Sequence, residues 1–130
     1  MISKYLSDLG IKENQLPYNW SPNDSRGIQW AKQRKEYGFD ERETWNLDTS
    51  FYLWAYPRLK MFDEINIINT EIENVVFDGN TYTLQQCINI ILEGWEIALI
   101  DNFQLYDKEK INKILLANKI FGHILHSLWW

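Results

Sequence analysis

The chain has 130 residues but only one cysteine, Cys87. A lone cysteine cannot form an internal disulfide, and such cysteine usage is typical of a reducing intracellular compartment. The two histidines, His123 and His126, are three residues apart and have no cysteine or acidic residue near them in the sequence. A zinc site needs more ligands than two histidines supply. We therefore expect neither a disulfide-stabilised fold nor a metal site.

No apolar run is long enough to span a bilayer. The most apolar stretch, residues 88–100, contains Glu93 and Glu96 and is shorter than the roughly 20 residues that a transmembrane helix needs. The first residues also lack the apolar region of a signal peptide. These absences predict a cytoplasmic protein without a membrane partner.

Motifs that carry catalysis or bind cofactors are also missing. The sequence has no phosphate-binding loop, no dinucleotide-binding glycine pattern and no serine nucleophile elbow. Glu41, Glu43 and Asp48 could form a carboxylate pair for acid–base chemistry, but their position before and at a predicted helix start favours capping and ion pairing. We therefore predict no catalytic residue and no cofactor.

Basic residues are absent from one long segment. Residues 61–107 contain nine acidic residues and no lysine or arginine, whereas residues 1–60 carry a net charge of +1 and residues 108–130 a net charge of +3. The whole chain has a net charge of −5. A surface of this sign repels nucleic acid, so direct DNA binding is not expected. The acidic segment could instead imitate nucleic acid.

Apolar residues are plentiful. Hydrophobic residues make up 45% of the chain and aromatic residues 15%, which at this length indicates one domain with one core. We predict a mainly α fold: a single compact helical domain over residues 1–130, with about four helices and one short β-hairpin. Residues 1–24 are predicted to form an irregular N-terminal arm with a short helix at 3–9.

Helix signals and turn signals place these elements along the chain. The predicted helices span residues 25–37, 48–65, 84–100 and 108–128, and the hairpin spans residues 75–82 around Asp78-Gly79. Thr83 and Asp107 are the expected N-caps of the last two helices. Gly94 lies inside the third helix, where glycine is unfavourable unless a neighbouring backbone approaches closely.

The helix over residues 48–65 has apolar side chains recurring at steps of four and three residues. This periodicity predicts a row facing the core. Arg58 occupies the one remaining position of the row, where a buried charge would require a carboxylate or a bound anion. The apolar members of the row are Leu47, Phe51, Trp54, Met61 and Ile65. The candidate carboxylate partners of Arg58 are Asp40, Glu43, Asp48, Glu93 and Glu96.

A second pattern lies on the helix over residues 25–37. Arg26, Trp30 and Arg34 recur every four residues, and Tyr37 lies near the end of the same face. In the simpler interpretation, Trp30 and Tyr37 are core residues and the arginines lie at the edge of the core. In the other interpretation, this face stacks and binds an anion, because tryptophan and arginine planes hold bases and phosphates.

One segment resembles a known group of proteins. The run Gly38-Phe-Asp-Glu-Arg-Glu-Thr-Trp-Asn-Leu-Asp48, followed by Pro57-Arg-Leu-Lys-Met-Phe62, resembles small proteins found in phages and prophages of Gram-positive bacteria. The similarity extends weakly to about residue 98. It implies a phage-encoded protein in the cytoplasm of a host bacterial cell, and accessory phage proteins without catalytic motifs are often binding proteins aimed at host defences.

These observations support two hypotheses about function. In the first, the protein is an anti-defence sponge that sequesters an anionic nucleotide signal in an aromatic and arginine-lined pocket. In the second, it is an acidic inhibitor that imitates nucleic acid and blocks a host defence protein. A structural accessory role in the phage is a third possibility. The candidate ligand-binding residues of the first hypothesis are Arg26, Trp30, Arg34, Tyr37, Trp45, Trp54, Arg58 and Lys60.

We also expect the protein to associate with itself. The helix over residues 84–100 is apolar on two sides, and the chain ends in Trp129-Trp130. Both features suggest surface that a second subunit would cover, and closed two-fold dimers are the commonest assembly. The predicted partners are therefore an anionic nucleotide-like small molecule and a homodimer or higher homo-oligomer.

Overall fold

Six α-helices and one antiparallel β-hairpin make up the part of the chain that the computed structural model describes, residues 1–100 and 107–129. Four of these helices have seven or more residues, so the predicted mainly α fold with four main helices and one hairpin is confirmed. The helices are α1 (Lys4–Asp8), α2 (Gly27–Tyr37), α3 (Arg42–Trp45), α4 (Leu47–Ile65), α5 (Leu84–Ile100) and α6 (Lys108–Ile124), and the strands are β1 (Glu73–Phe77) and β2 (Asn80–Thr83).

The N-caps of α5 and α6 are those that the sequence predicts. Thr83 Oγ1 accepts a hydrogen bond from Gln86 N at 3.0 Å, and Gln86 Oε1 accepts one from Thr83 N at 2.9 Å, which is a capping box. Asp107 Oδ1 accepts hydrogen bonds from Glu109 N and Lys110 N. These side chains satisfy backbone donors that lack partners within the helix, and so fix where each helix begins.

Other boundaries shift by a few residues. α2 begins at Gly27 rather than residue 25, because the Asp24 carboxylate accepts Arg26 N and holds a turn there. α6 ends at Ile124, and residues 125–127 form a 3₁₀ turn. The hairpin is longer than predicted, but its turn is at Asp78-Gly79, where both residues have positive φ, 52° and 80°. Positive φ at both central residues defines the hairpin turn whose twist matches the strands.

The core forms where α5 packs against α4 on one side and α6 on the other. Ile88, Ile91 and Trp95 of α5 are fully buried at its centre. A polar relay crosses the same layer: Trp95 Nε1 donates to Asn118 Oδ1 at 2.9 Å, and Asn118 Nδ2 donates to Tyr52 OH at 2.8 Å. The relay links α4, α5 and α6 through buried or partly buried groups that would otherwise lack partners. None of the helices in the described ranges is both long and apolar enough to cross a membrane.

The predicted orientation of α4 is wrong. The row proposed for the core points to solvent: Leu47 is 67% exposed and Trp54 is 58% exposed. α4 is apolar on two sides, so periodicity alone does not decide which side is buried. α1 and α5 pack against the other side, which carries the buried residues Tyr52, Leu53, Ala55, Tyr56, Pro57 and Leu59.

The expected buried partner of Arg58 is consequently wrong as well. The Arg58 guanidinium is exposed, lies 4.4 Å from the centroid of the Trp54 ring, and donates to Trp54 O at 2.7 Å. Among the described residues no carboxylate forms an ion pair with it. Asp40 binds Arg34 and Arg42 instead, and Glu93 binds Lys113. Because Arg58 keeps its hydration, it needs no fixed counter-charge.

α6 covers part of the second apolar side of α5, where Ile90 and Ile97 are half-buried, while Ile100 is 53% exposed. Gly94 is buried there, and a Cβ at this position would overlap Ala117 Cβ and lie 2.8 Å from Lys113 O, so the predicted close approach of a neighbouring backbone is confirmed. This contact weakens α5 as an argument for self-association. At the C-terminus, Trp129 is 74% exposed and Trp130 lies outside the described residues.

Two glycine substitutions test the α5–α6 contact. Gly94→Ala should lower the free energy of unfolding by about 1–3 kcal/mol, because the added methyl group separates the two helices. Gly122→Ala is the matched control, since a Cβ there meets no atom within 4 Å. The control should be neutral or stabilise by up to about 1 kcal/mol, the helix-propensity difference. Urea denaturation measures both, and equal effects of the two changes would contradict the close contact.

Candidate functional site

An aspartate and an arginine two residues apart form the same structure twice in the first third of the chain. At the start of α3, Asp40 Oδ1 accepts Arg42 N and Arg42 Nε, both at 3.0 Å, and Asp40 Oδ2 accepts Arg42 Nη2 at 2.8 Å. Before α2, Asp24 binds the same three groups of Arg26 at 2.9, 2.9 and 2.7 Å. The carboxylate thus holds both the backbone turn and the guanidinium. The two pairs differ in burial, since the Asp40–Arg42 pair is buried and Arg26 is exposed.

The Asp40–Arg42 pair fastens the N-terminal arm to the helices. Arg42 Nη1 donates to Tyr18 O at 2.7 Å and to Trp20 O at 3.1 Å, so the guanidinium binds two backbone carbonyls of the arm. Arg34 of α2 donates from Nη1 to Asp40 Oδ2 at 2.5 Å. One buried carboxylate therefore joins the arm, α2 and α3.

The ionised form of Asp40 is strongly favoured in the folded protein. Burial raises its pKa, but the hydrogen bonds from Arg42 and Arg34 outweigh that effect and lower the pKa from 3.8 to about 2. Asp40 is therefore charged at any physiological pH, and it neutralises one of the two guanidinium groups that bind it.

Trp30 packs beneath these charges. Its side chain is buried, and its Nε1 donates to Glu41 Oε1 at 2.8 Å. The guanidinium of Arg42 lies 4.3 Å from the centroid of its ring and that of Arg26 lies 5.2 Å away. The Trp45 ring makes an edge contact with a centroid distance of 5.6 Å. Because protein groups already cover the Trp30 ring, it supports the site and presents no open face to a base.

A cleft of about 510 Å³ lies between the arm and α2, next to the Asp40–Arg42 pair. This volume is within the range of small-molecule sites. The Arg34 side chain is 37% exposed and makes one hydrogen bond, to Asp40, within the described part of the chain. Its other N–H donors are therefore open to a ligand. The residues that line the cleft are Glu13, Asn14, Tyr18, Asn19, Ser21, Pro22, Gly27, Trp30, Arg34 and Arg42.

Charges of both signs lie around the cleft, and the carboxylates of Glu41 and Glu43 are among them. Arg34 and Arg42 share the single carboxylate of Asp40. The Glu13 carboxylate is 2.9 Å from the N-terminal amine, which offsets its charge. The guanidinium of Arg34 also lies 5.6 Å from the centroid of the Tyr18 ring. Burial and the nearby Glu43 carboxylate raise the pKa of Tyr18.

Four of the residues predicted to bind a ligand come together here. Trp30 and Arg34 line the cleft, and Arg26 and Trp45 pack on Trp30 behind it. Trp30 is a buried residue, as the simpler interpretation of the α2 pattern has it.

The other four predicted residues lie elsewhere. Tyr37 is 63% exposed and contacts Phe39 rather than the core. Trp54 and Arg58 pair with each other on the exposed side of α4, and Lys60 is partly buried on the same helix. None of these four lines the cleft.

Sequence reasoning missed Asp40, Arg42 and Tyr18 as parts of the site. The signal for the first two was present, because an aspartate two residues before an arginine occurs at both Asp24 and Asp40. Tyr18 had no local signal, since Arg42 brings it into place from 24 residues away.

Comparison with known proteins finds no protein-family model, curated protein or solved structure that matches this chain. Across residues 1–100 and 107–129, no group of three or more histidine, cysteine, aspartate or glutamate side chains is placed to hold a metal ion.

The two aspartates provide a matched test of the buried pair. Asp40→Asn should lower the free energy of unfolding by about 3–5 kcal/mol, because Arg42 then remains buried without its counter-charge. Asp24→Asn removes the same negative charge from beside an exposed arginine and should cost much less. Denaturant unfolding measures both. Equal losses of unfolding free energy in the two variants would contradict the larger contribution that we assign to the buried Asp40–Arg42 pair.

The same pair predicts a dependence of stability on pH. The folded-state pKa of Asp40 is about 2, below its value of about 4 in an unfolded chain, so its stabilising contribution is present above pH 4 and is lost as the pH falls from about 4 to about 2. The difference in unfolding free energy between the parent and Asp40→Asn should therefore shrink over that interval. A difference that stays constant from pH 5 to pH 2 would contradict the low pKa.

Proposed function

We propose that this protein is a binding protein and that the cleft beside the Asp40–Arg42 pair holds the anionic group of a nucleotide-like ligand. The observation that carries the proposal is Arg34, a partly exposed guanidinium on the cleft wall with donors left over after it binds Asp40. A guanidinium with open N–H donors is well suited to phosphate, because its planar fork makes charge-assisted hydrogen bonds.

Carboxylates close to the cleft favour a ligand with few negative charges. Arg34 and Arg42 share one aspartate and Glu43 lies near Tyr18, so a phosphodiester is matched better than a triphosphate. Arg42 is less suited to contact the ligand, since Asp40 and two backbone carbonyls already bind it. In this proposal Arg42 holds the cleft wall in place, and Arg34 contacts the ligand.

Contacts to the base or sugar would come from the rest of the cleft. The Tyr18 ring is 42% exposed and offers a surface for stacking, while Asn14 and Ser21 on the lining supply hydrogen-bonding groups. Trp30 lies under this wall and keeps Arg42 in place. This division of roles replaces the direct stacking on Trp30 that the sequence suggested.

The resemblance to phage and prophage proteins supplies the biological setting of the proposal. A phage protein that binds a signalling nucleotide without converting it lowers the free concentration of that signal in the host cytoplasm. Such a sponge requires affinity and abundance but no catalytic residue. We propose this anti-defence role for the cleft.

Calorimetry with Arg34→Met and Arg58→Met tests the cleft. The probes are AMP, cyclic di-AMP, ATP and, as a neutral comparison, adenosine. We expect the parent to bind at least one of the first two more tightly than ATP and at least tenfold more tightly than adenosine. Arg34→Met should weaken that binding by about tenfold or more, the usual value of a hydrogen bond to a charged group. The loss should be smaller when salt is raised.

Arg58→Met is the matched control, because Arg58 also lies over an aromatic ring but lines no part of the cleft. The Arg58→Met variant should bind each nucleotide probe with the same affinity as the parent protein. Equal losses in both variants would refute the assignment of Arg34. Failure of the parent to bind any anionic probe at millimolar concentration would refute the nucleotide proposal itself.

The acidic inhibitor remains a second proposal, supported by three exposed carboxylates around the hairpin, Glu71, Glu73 and Asp78. Other acidic side chains of the base-free segment already have partners in the fold: Glu93 binds Lys113 and Glu96 accepts from Tyr56. In a phage challenge of a defended host, neutralising the three hairpin carboxylates together should abolish protection if the inhibitor proposal holds. Arg34→Met should abolish it if the cleft acts.

A further inference from the structure

One row of side chains on α4 is largely exposed, although Phe51 within it also packs against Trp95 and Phe121. We call this row the α4 seam, and its apolar members are between 38% and 67% exposed. A continuous exposed apolar row of this kind is uncommon on a monomer, where exposed apolar residues are usually scattered singly. The members of the seam are Leu47, Phe51, Trp54, Arg58, Met61 and Ile65.

The spacing of the seam is that of a coiled coil. Its members follow at steps of four, three, four, three and four residues, which places two in every seven positions on one line. The exposed row is narrow, because the helix surface on both sides of it is buried: Ala55 is buried on one side and Pro57 on the other. A line this narrow matches the contact surface of a single partner helix.

The steps between members of the seam, four, three, four, three and four residues, are the same when counted from either end of α4. The midpoint of the seam lies between Trp54 and Arg58, at residue 56. A second α4 running antiparallel would therefore place Leu47 opposite Ile65, and Phe51 opposite Met61. Trp54 would lie opposite Arg58 of the second copy. Every member of the seam thus meets a partner, and the central charge meets an aromatic ring, with which a guanidinium forms a cation–π interaction.

One hollow borders each half of the seam. A hollow of about 530 Å³ borders the first half of α4 at Leu47 and Phe51, and one of about 410 Å³ borders the second half at Met61 and Ile65. A two-fold axis through the midpoint exchanges the two halves. The helix of the second copy would therefore run past both hollows in each subunit, and its large side chains could fill them.

The exposed area is of the size that a dimer requires. The five apolar members expose on the order of 500 Å² together, given about 150–250 Å² for a whole large side chain. Arg58 and the walls of the two hollows add to this, toward the about 800 Å² that each partner contributes to a standard interface. We propose that the α4 seam is covered by the α4 seam of a second copy, in an antiparallel, two-fold homodimer. The proposal is independent of the cleft.

Sedimentation equilibrium with two isoleucine variants tests the surface. Ile65→Glu introduces a charge into the seam, and Ile67→Glu introduces the same charge at an exposed isoleucine beyond the helix end. We expect the parent and Ile67→Glu to sediment at twice the mass of the chain. Ile65→Glu should dissociate at least about a hundredfold more readily, since both copies are altered. A monomeric parent at 100 µM, or equal behaviour of the two variants, would overturn the proposal.

Disulfide trapping tests the direction of the pairing. Leu47→Cys and Ile65→Cys are made separately in a Cys87→Ala background, and each is oxidised alone and as a mixture. The antiparallel register predicts a covalent dimer in the mixture and little in either protein alone. Rapid trapping of Leu47→Cys with itself would indicate parallel helices and overturn the proposed geometry. If Cys87→Ala does not fold, the native Cys87 is kept, because its thiol is fully buried.

Discussion

The first third of the chain depends on one buried carboxylate. Trp30 is buried but lies outside the main cluster of core residues, and it is the one residue of α2 that is buried. With so little apolar contact, α2 and the arm need another means of attachment. Asp40 provides it by binding Arg42 and Arg34, while Arg42 binds the arm through two carbonyls. The cleft exists because these three segments meet at this pair.

A buried ion pair is costly unless all its groups have partners. Here Arg42 makes hydrogen bonds from Nε and both Nη atoms, and both oxygens of Asp40 accept hydrogen bonds. The arrangement leaves Arg34 as the group with donors to spare. A structural requirement, neutralisation of a buried carboxylate, has therefore placed a partly exposed guanidinium on the wall of a cleft.

The sequence predicted the elements better than the surfaces. α5 begins where Thr83 predicts because a cap depends on a few neighbouring residues. The buried side of α4 depends on which other helices pack there, and an apolar pattern on two sides of that helix could not supply this. Because the buried side of α4 was predicted wrongly, Arg58 was expected to be a buried charge. Its guanidinium instead lies in solvent over the Trp54 ring. In the candidate site, spacing identified Trp30 and Arg34. It could not identify Tyr18, which a contact 24 residues away along the chain brings into place.

The contacts that join α2 to α3 are close together in the chain. The hydrogen bonds between them connect residues separated by 6, 8 and 11 positions. Closing such short loops costs little chain entropy, so this corner can form early in folding and can open and close again while α4, α5 and α6 remain packed. Amide exchange in residues 27–45 would then proceed faster than in the core, and any ligand held at Arg34 would slow it. Any affinity of the cleft for a ligand would in this way be thermodynamically coupled to the local unfolding of the segment that forms it.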